Sequence, residues 1–151
     1  MIQPPSDHWA TVQRLLAREV PEVADGTVEL RAIARVPGLR TKLAVSALSP
    51  GFDPVTACVG PRAQRISAVR AALGGERIDV LPWSDDPERF VKLALAPARV
   101  RSVELDWPGN RATAIVSTDQ YELARGEDAV NQTLASDLTG WTVEVAAIDA
   151  G

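Results

Sequence analysis

Cysteine and histidine are nearly absent: Cys58 and His8 are the only ones in 151 residues. A lone cysteine excludes an internal disulfide, and one residue of each type leaves no set that would cage zinc. No metal site and no cofactor are expected. Cys58, between Ala57 and Val59, reads as a small buried hydrophobe rather than a reactive thiol. His8, beside Asp7, reads as solvated. Nucleophile–base and paired-acid patterns are also missing, so no catalytic residue is assigned and the chain is not expected to be an enzyme. Asp85 and Asp86 before Pro87 read as a capped helix start, not an acid pair. Long apolar runs are missing too. Nothing approaches the roughly 20 residues of a membrane span, and the opening MIQPPSDHW has neither the basic start nor the apolar core of a signal peptide. A cytoplasmic protein with no membrane partner is expected. The formal charge of -4 argues against a protein that coats nucleic acid through net charge, so the distribution of charge matters more than its sum. What is present, 46% hydrophobic and 24% charged residues, suffices for one or two modest cores and carries no sign of disorder.

Along the chain, Trp9, Val12, Leu16 and Val20 fall at helical spacing, with Ser6 as cap and Pro21 as stop. Thr27 to Val36 and Arg40 to Ala47 alternate around Pro37-Gly38, an antiparallel strand pair. Asp53-Pro54 starts a short helix that Gly60-Pro61 breaks. A second helix follows, facing inward through Ile66, Val69 and Leu73 and ending at Gly74-Gly75, and Glu76 to Trp83 forms a strand. The order then repeats. Asp86-Pro87-Glu88 opens a helix with Phe90, Val91, Ala94 and Leu95 inward, closed by Pro97. Val103, Leu105 and Trp107 alternate in a strand, Pro108-Gly109-Asn110 turns, and Arg111 to Ser117 returns. Asp119 and Glu122 form a capping-box pattern. A break at Gly126, a helix through Val130, Leu134 and Leu138, a stop at Gly140 and a strand from Trp141 to Ala147 complete the unit. Gly60 and Gly74 recur at one common offset as Gly126 and Gly140, so the chain reads as a duplication. The fold class is α+β: two units, residues 1–83 and 84–151, each a three-stranded sheet with helices packed on one face.

The break between the paired helices aims the N-terminus of the second helix, with its free amides and positive dipole end, at whatever lies before the turn. In the first unit the turn is Gly60-Pro61-Arg62-Ala63, followed by Gln64 and Arg65. Either this is a cradle for nucleic-acid phosphate, or it merely reverses the chain.

The stretches Glu19 to Val45, Asp53 to Ile66, Leu73 to Val91, Ala94 to Val100 and Leu138 to Trp141, with the GxxG-like turn, resemble tandem prokaryotic-type (type II) KH domains, specifically the paired module of NusA-type bacterial transcription factors. The resemblance covers nearly the whole chain after residue 7. It implies single-stranded RNA binding in transcription elongation, termination or antitermination, with Gly60, Pro61, Arg62, Ala63, Gln64 and Arg65 as the RNA-binding segment. It also implies that bases lie in an aliphatic groove, so few exposed aromatics are needed. The polymerase-binding and S1 domains usual in that family have no counterpart in these residues, and polymerase attachment is not carried over.

The sequence departs from the family twice. Ala63 stands where the family has glycine. At positive φ the alanine costs about 1 kcal/mol, and at negative φ it is tolerated. The first turn nonetheless looks basic, with Arg62, Arg65, Arg70 and Arg77 opposed only by Glu76, and with Arg40 and Lys42 extending the edge. In the second unit the family pattern of isoleucine and Gly-Lys-Gly-Gly becomes Arg125-Gly126-Glu127-Asp128-Ala129. The lysine is lost and two carboxylates stand where phosphate should lie, each repelling it by on the order of 1 kcal/mol. Asp119, Glu122 and Asp137 add to the acidity against Arg125 alone. Gly126, Glu127, Asp128 and Ala129 are therefore expected to form a degenerate turn whose carboxylates suit the helix dipole. Trp9, Trp83, Trp107 and Trp141 are expected to pack rather than stack on bases. Two functions follow: a single-site RNA binder, or a protein-interaction module that has lost RNA and contacts RNA polymerase or another protein.

Overall fold

Helical spacing places Trp9, Val12 and Leu16 on one stripe of α1 (Asp7–Glu19), where Val12 and Leu16 are fully buried. The computed structural model describes residues 7–148, so the cap expected of Ser6 lies outside the described residues. Pro21 does not only stop α1. It takes the first position of a short second helix, α2 (Pro21–Ala24), because a proline that cannot continue one helix has the fixed φ and missing N–H suited to opening the next.

β1 (Val28–Val36) and β2 (Arg40–Ala47) pair antiparallel, with a register shift between Leu30 and Ala32, and β3 (Arg77–Pro82) joins β2 in parallel. The order is β1-β2-β3. A parallel neighbour needs a crossover. It is supplied by α3 (Pro54–Val59), a 3₁₀ turn (Pro61–Ala63) and α4 (Gln64–Ala72). Asp53 caps α3, its carboxylate accepting from the Val55 and Thr56 amides at 3.0 and 3.2 Å. The core joins Leu16, Val20, Leu30, Leu43, Cys58 and Val69, with Ile66, Leu73, Ile78 and Val80 packed against it. Burial pushes the Cys58 thiol up to about 11, which keeps it protonated and unreactive.

The chain divides between Trp83 and Ser84 into two compact units. The second has α5 (Pro87–Ala94), β4 (Ser102–Asp106), β5 (Arg111–Ser117), α6 (Tyr121–Arg125), a 3₁₀ turn (Glu127–Ala129), α7 (Val130–Thr139) and β6 (Thr142–Ile148). β4 and β5 pair antiparallel, and β5 and β6 in parallel, reproducing the first sheet. Asp86 caps α5 through the Glu88 amide at 3.2 Å, and Phe90, Val91, Ala94 and Leu95 are buried.

Two expectations for this unit are corrected. No capping box forms, because Asp119 accepts instead from the Ser117 hydroxyl within a 3₁₀ turn (Thr118–Gln120), and α6 begins only at Tyr121 with no side-chain cap. Trp107 lies beyond the end of β4, in the hairpin turn, and is 64% exposed. It meets Trp141 edge to face at 4.9 Å between ring centroids, and Trp141 is the buried member of the pair. Among the described residues no helix is long and apolar enough to cross a membrane.

Candidate nucleic-acid interface

Each turn between paired helices is built the same way. The glycine amide closes the last turn of the preceding helix, Gly60 to the Thr56 carbonyl at 2.9 Å and Gly126 to the Glu122 carbonyl at 2.8 Å. Both glycines then take a conformation open only to glycine, φ/ψ 76/170° and 77/167°. The third and fourth residues are left-handed in both turns, Arg62 at 54/30° and Ala63 at 59/25° against Asp128 at 54/30° and Ala129 at 60/23°. The fourth amide returns to the glycine carbonyl, at 3.1 Å from Ala63 and 3.0 Å from Ala129. The question left open at Ala63 is thereby decided: its φ is positive, and the turn keeps its shape at a cost of about 1 kcal/mol.

The side chains differ. In the first turn Pro61, Arg62 and Gln64 are exposed and Gly60, Ala63 and Arg65 are half-buried. Arg62 is exposed and stands two residues before α4, a nine-residue helix whose N-terminal end carries the positive pole of its dipole. In the second, Glu127 and Asp128 are exposed and Gly126 and Ala129 half-buried, so the same backbone presents two carboxylates.

The extension of the basic edge expected from Arg40 and Lys42 is not there. Lys42 is fully buried and Arg40 nearly so, and both are held by Asp79, at 3.0 and 2.6 Å. Burial lowers the Lys42 ammonium to about 8, with Asp79 opposing the fall. Burial alone would raise the Asp79 carboxyl, but Lys42 and Arg40 outweigh it and hold it below the ordinary range. Arg77 also meets Asp79, at 3.3 Å. Glu76, expected to oppose the turn arginines, instead takes two nitrogens of Arg35, the Gly38 amide at 2.8 Å and the Thr41 hydroxyl. Arg70 is exposed and donates to the Gly75 carbonyl at 3.1 Å. Arg65 pairs with Glu22 at 2.9 Å and donates to the Ala57 carbonyl at 2.8 Å. The acids that meet Arg65 and Arg77 are thus Glu22 and Asp79, while Glu76 is taken up by Arg35. In the second unit Arg99 approaches Asp119 at 3.8 Å, so Arg125, stacked over Tyr121, is not alone against the acidic residues there.

Glu22 and Asn131 were missed by sequence reasoning. Asn131 holds the place in the second unit that Arg65 holds in the first, five residues past the turn glycine. Its amide nitrogen donates to the Leu123 and Ala124 carbonyls at 3.4 and 2.9 Å and to that of Leu95 at 3.1 Å. The repeat offset that relates the glycines also relates Arg65 to Asn131 and Ala57 to Leu123, and that was the available signal. Among the described residues no group of three or more His, Cys, Asp or Glu is placed to hold a metal ion.

Comparison with known proteins agrees with this duplicated architecture. The family model of the NusA-like first KH domain matches residues 6–83, and that of the NusA-like second KH domain matches residues 87–150. The chain is 48% identical over 136 residues to the transcription termination/antitermination protein NusA of Thermus thermophilus, covering 90% of this chain and 35% of that protein. It is 44% identical over 138 residues to the NusA of Bacillus subtilis, covering 91% and 37%, and 43% identical over 139 residues to that of Mycobacterium tuberculosis, covering 91% and 40%. It therefore spans well under half the length of these relatives. The crystal structure of APE1850 matches with a TM-score of 0.62 at 24% identity, over 88% of this chain and 96% of that one, and shows the fold. With two α+β units in the order of a KH pair, each carrying a glycine-led turn between its paired helices, the chain belongs to the NusA-like tandem KH family.

Proposed function

We propose that the chain is a single-stranded RNA-binding module acting in transcription termination or antitermination, built from KH domains at residues 1–83 and 84–151. RNA engages the segment Gly60, Pro61, Arg62, Ala63, Gln64 and Arg65, and the second turn, Gly126, Glu127, Asp128 and Ala129, is silent toward phosphate. The observation that carries this reading is the pair of turns with one backbone and opposite charge, Arg62 on the first and Glu127 with Asp128 on the second. Arg62 and the leading amides of α4 supply the positive pole for a phosphate, while Glu127 and Asp128 occupy the equivalent pole of α7 with charge of the wrong sign for it. The similarity to transcription termination/antitermination proteins supports the biological setting, and the proposal places the module in the cytoplasm and gives it no catalytic role. Association with RNA polymerase or another transcription factor belongs to the same proposal.

The test is a titration of labelled single-stranded RNA at two salt concentrations. Wild type is expected to bind weakly and with a shallow salt dependence, because few phosphates are neutralised. Arg62→Glu, alone or with Arg65→Glu, is expected to remove binding, and Glu127→Lys with Asp128→Gly to preserve or strengthen it. Unchanged binding in the Arg62 variant defeats the single-site reading. The exposed acidic turn favours a second reading, a protein-interaction module. That reading is supported if wild type binds no RNA while a basic protein partner binds it and is lost on Glu127→Lys.

A further inference from the structure

Arg65 lies five residues past Gly60 yet is turned back beneath the turn. Its guanidinium reaches Glu22 on α2 at 2.9 Å and the Ala57 carbonyl in α3 at 2.8 Å. Its stem runs directly under Gly60, where an added Cβ would lie 2.6 Å from the Arg65 Cγ. Three separate elements, α2, α3 and the start of α4, are therefore joined by one side chain behind the backbone that presents Arg62. In the second unit Asn131 stands at the same place, an added Cβ on Gly126 would lie 2.8 Å from its Cβ, and its amide bonds the corresponding carbonyl of Leu123. A device repeated at one site of both units, arginine with a carboxylate in one and asparagine in the other, serves the geometry the units share rather than the charge in which they differ.

We propose that Arg65 is a positioning residue: latched by Glu22 and the Ala57 carbonyl, it fixes the turn for RNA and does not itself touch phosphate. The inference rests on the RNA-binding reading above and refines it. An arginine whose charge is matched by a carboxylate at 2.9 Å contributes little as a free cation, whereas a turn with two left-handed non-glycine residues needs support from its surroundings to hold its shape.

The experiment uses the full chain in two arms. In the first, the affinity for labelled single-stranded RNA is followed against salt for wild type, Arg62→Gln, Arg65→Met and Glu22→Ala. Methionine keeps an unbranched stem beneath Gly60. Arg62→Gln is expected to flatten the slope of log affinity against log salt by about 0.7, the value of one lost phosphate contact on a single strand. Arg65→Met is expected to weaken binding about tenfold with the slope unchanged, and Glu22→Ala to weaken it a few fold, also unchanged in slope. A flattened slope in Arg65→Met, or stronger binding in Glu22→Ala where the arginine has been released, overturns the proposal.

The second arm needs no RNA. Amide exchange at Ala63 and Gln64, whose N–H groups return to the Gly60 and Pro61 carbonyls, is expected to quicken about tenfold in Arg65→Met and Glu22→Ala, while β2 and Ala129 stay protected as in wild type. Unchanged exchange at Ala63 and Gln64 overturns the latch, as does loss of protection throughout the unit. If wild type binds no RNA, the RNA-binding reading fails, and the exchange arm still decides the role of Arg65.

Discussion

Arg40 with Asp79 in the first unit and Arg111 with Glu144 in the second occupy matching rungs of matching parallel ladders, at 2.6 and 3.0 Å. The first pair is nearly buried, with side chains 7% and 15% exposed; the second stands in solvent at 53% and 47%. The same junction differs elsewhere too. Where β3 begins, Glu76 ties the hairpin through Arg35, Gly38 and Thr41; where β6 begins, Trp141 packs against Trp107 of the hairpin. One scaffold is thus stapled by buried charge in one copy and by aromatic contact in the other. Duplication has preserved backbone geometry, turns included, while the side-chain chemistry on it has diverged.

The largest expected difference lies in the ion pairs. Asp79→Asn removes the carboxylate that Lys42 and Arg40 share and is expected to cost about 3–5 kcal/mol in urea denaturation. Glu144→Gln, at the matching rung, is expected to cost no more than about 1 kcal/mol. Equal costs would mean that burial does not set the strength of these two pairs. Next come the turn glycines. Gly126→Ala drives its Cβ to 2.8 Å from the Asn131 backbone nitrogen, whereas Gly60→Ala meets the stem of Arg65. The first cannot give way as a flexible side chain can. We expect about 2–3 kcal/mol for Gly126→Ala and about 1–2 for Gly60→Ala, read by thermal unfolding.

Acid separates the units in the same sense. In the folded first unit burial opposes ionisation of Glu76 and Asp79, but Arg35 and Thr41, and Lys42 and Arg40, hold both carboxyls below their ordinary values. Their stabilisation is therefore complete above the unfolded carboxylate range, about pH 4, and is lost as pH falls below it through the folded values. Among the described residues of the second unit the shifted carboxyls are Asp119, which is exposed and lowered chiefly by Ser117, and Asp137, which burial raises. Amide exchange between pH 5 and 3 is expected to show protection falling earlier in β2 and β3 than in β5 and β6. Lys42 acts at the other end: its ammonium is lowered to about 8 in the folded chain, so the unfolded state binds more protons between there and about 10.4, and this group's contribution to stability rises with pH across that window. The smallest effect is at the fourth turn residue. Ala63→Gly and Ala129→Gly relieve the same left-handed conformation and are each expected to gain up to about 1 kcal/mol, within error of one another.

Local chemistry made much of the fold legible. The stripe of Trp9, Val12 and Leu16, the caps Asp53 and Asp86 before proline, and the shared offset of Gly60 and Gly126 each act over a few residues or repeat, and the structure has them where their physics puts them. Signals with two local meanings misled. Pro21 both ends and begins a helix, and Asp119 found a hydroxyl two residues back instead of closing a cap. Trp107 follows the strand alternation by one residue too many, which carries it into the hairpin turn. The charge map was the least legible, since the partners of Arg65, Lys42 and Arg40 lie 43, 37 and 39 residues away in sequence. Counting arginines near Gly60 overstated the free positive charge, because pairing across a sheet or between helices leaves no trace in local spacing. Arg62 is the turn arginine that local reading placed and the fold leaves exposed.

The proposed function requires that one backbone turn, occurring twice, meets RNA only where its charge permits. Amide shifts of the isotopically labelled chain on titration with a short single-stranded RNA test it most directly. Perturbations concentrated at residues 60–65, with 126–129 unmoved, are expected. Perturbations chiefly at 126–129, equal shifts at both turns, or none at either would contradict it.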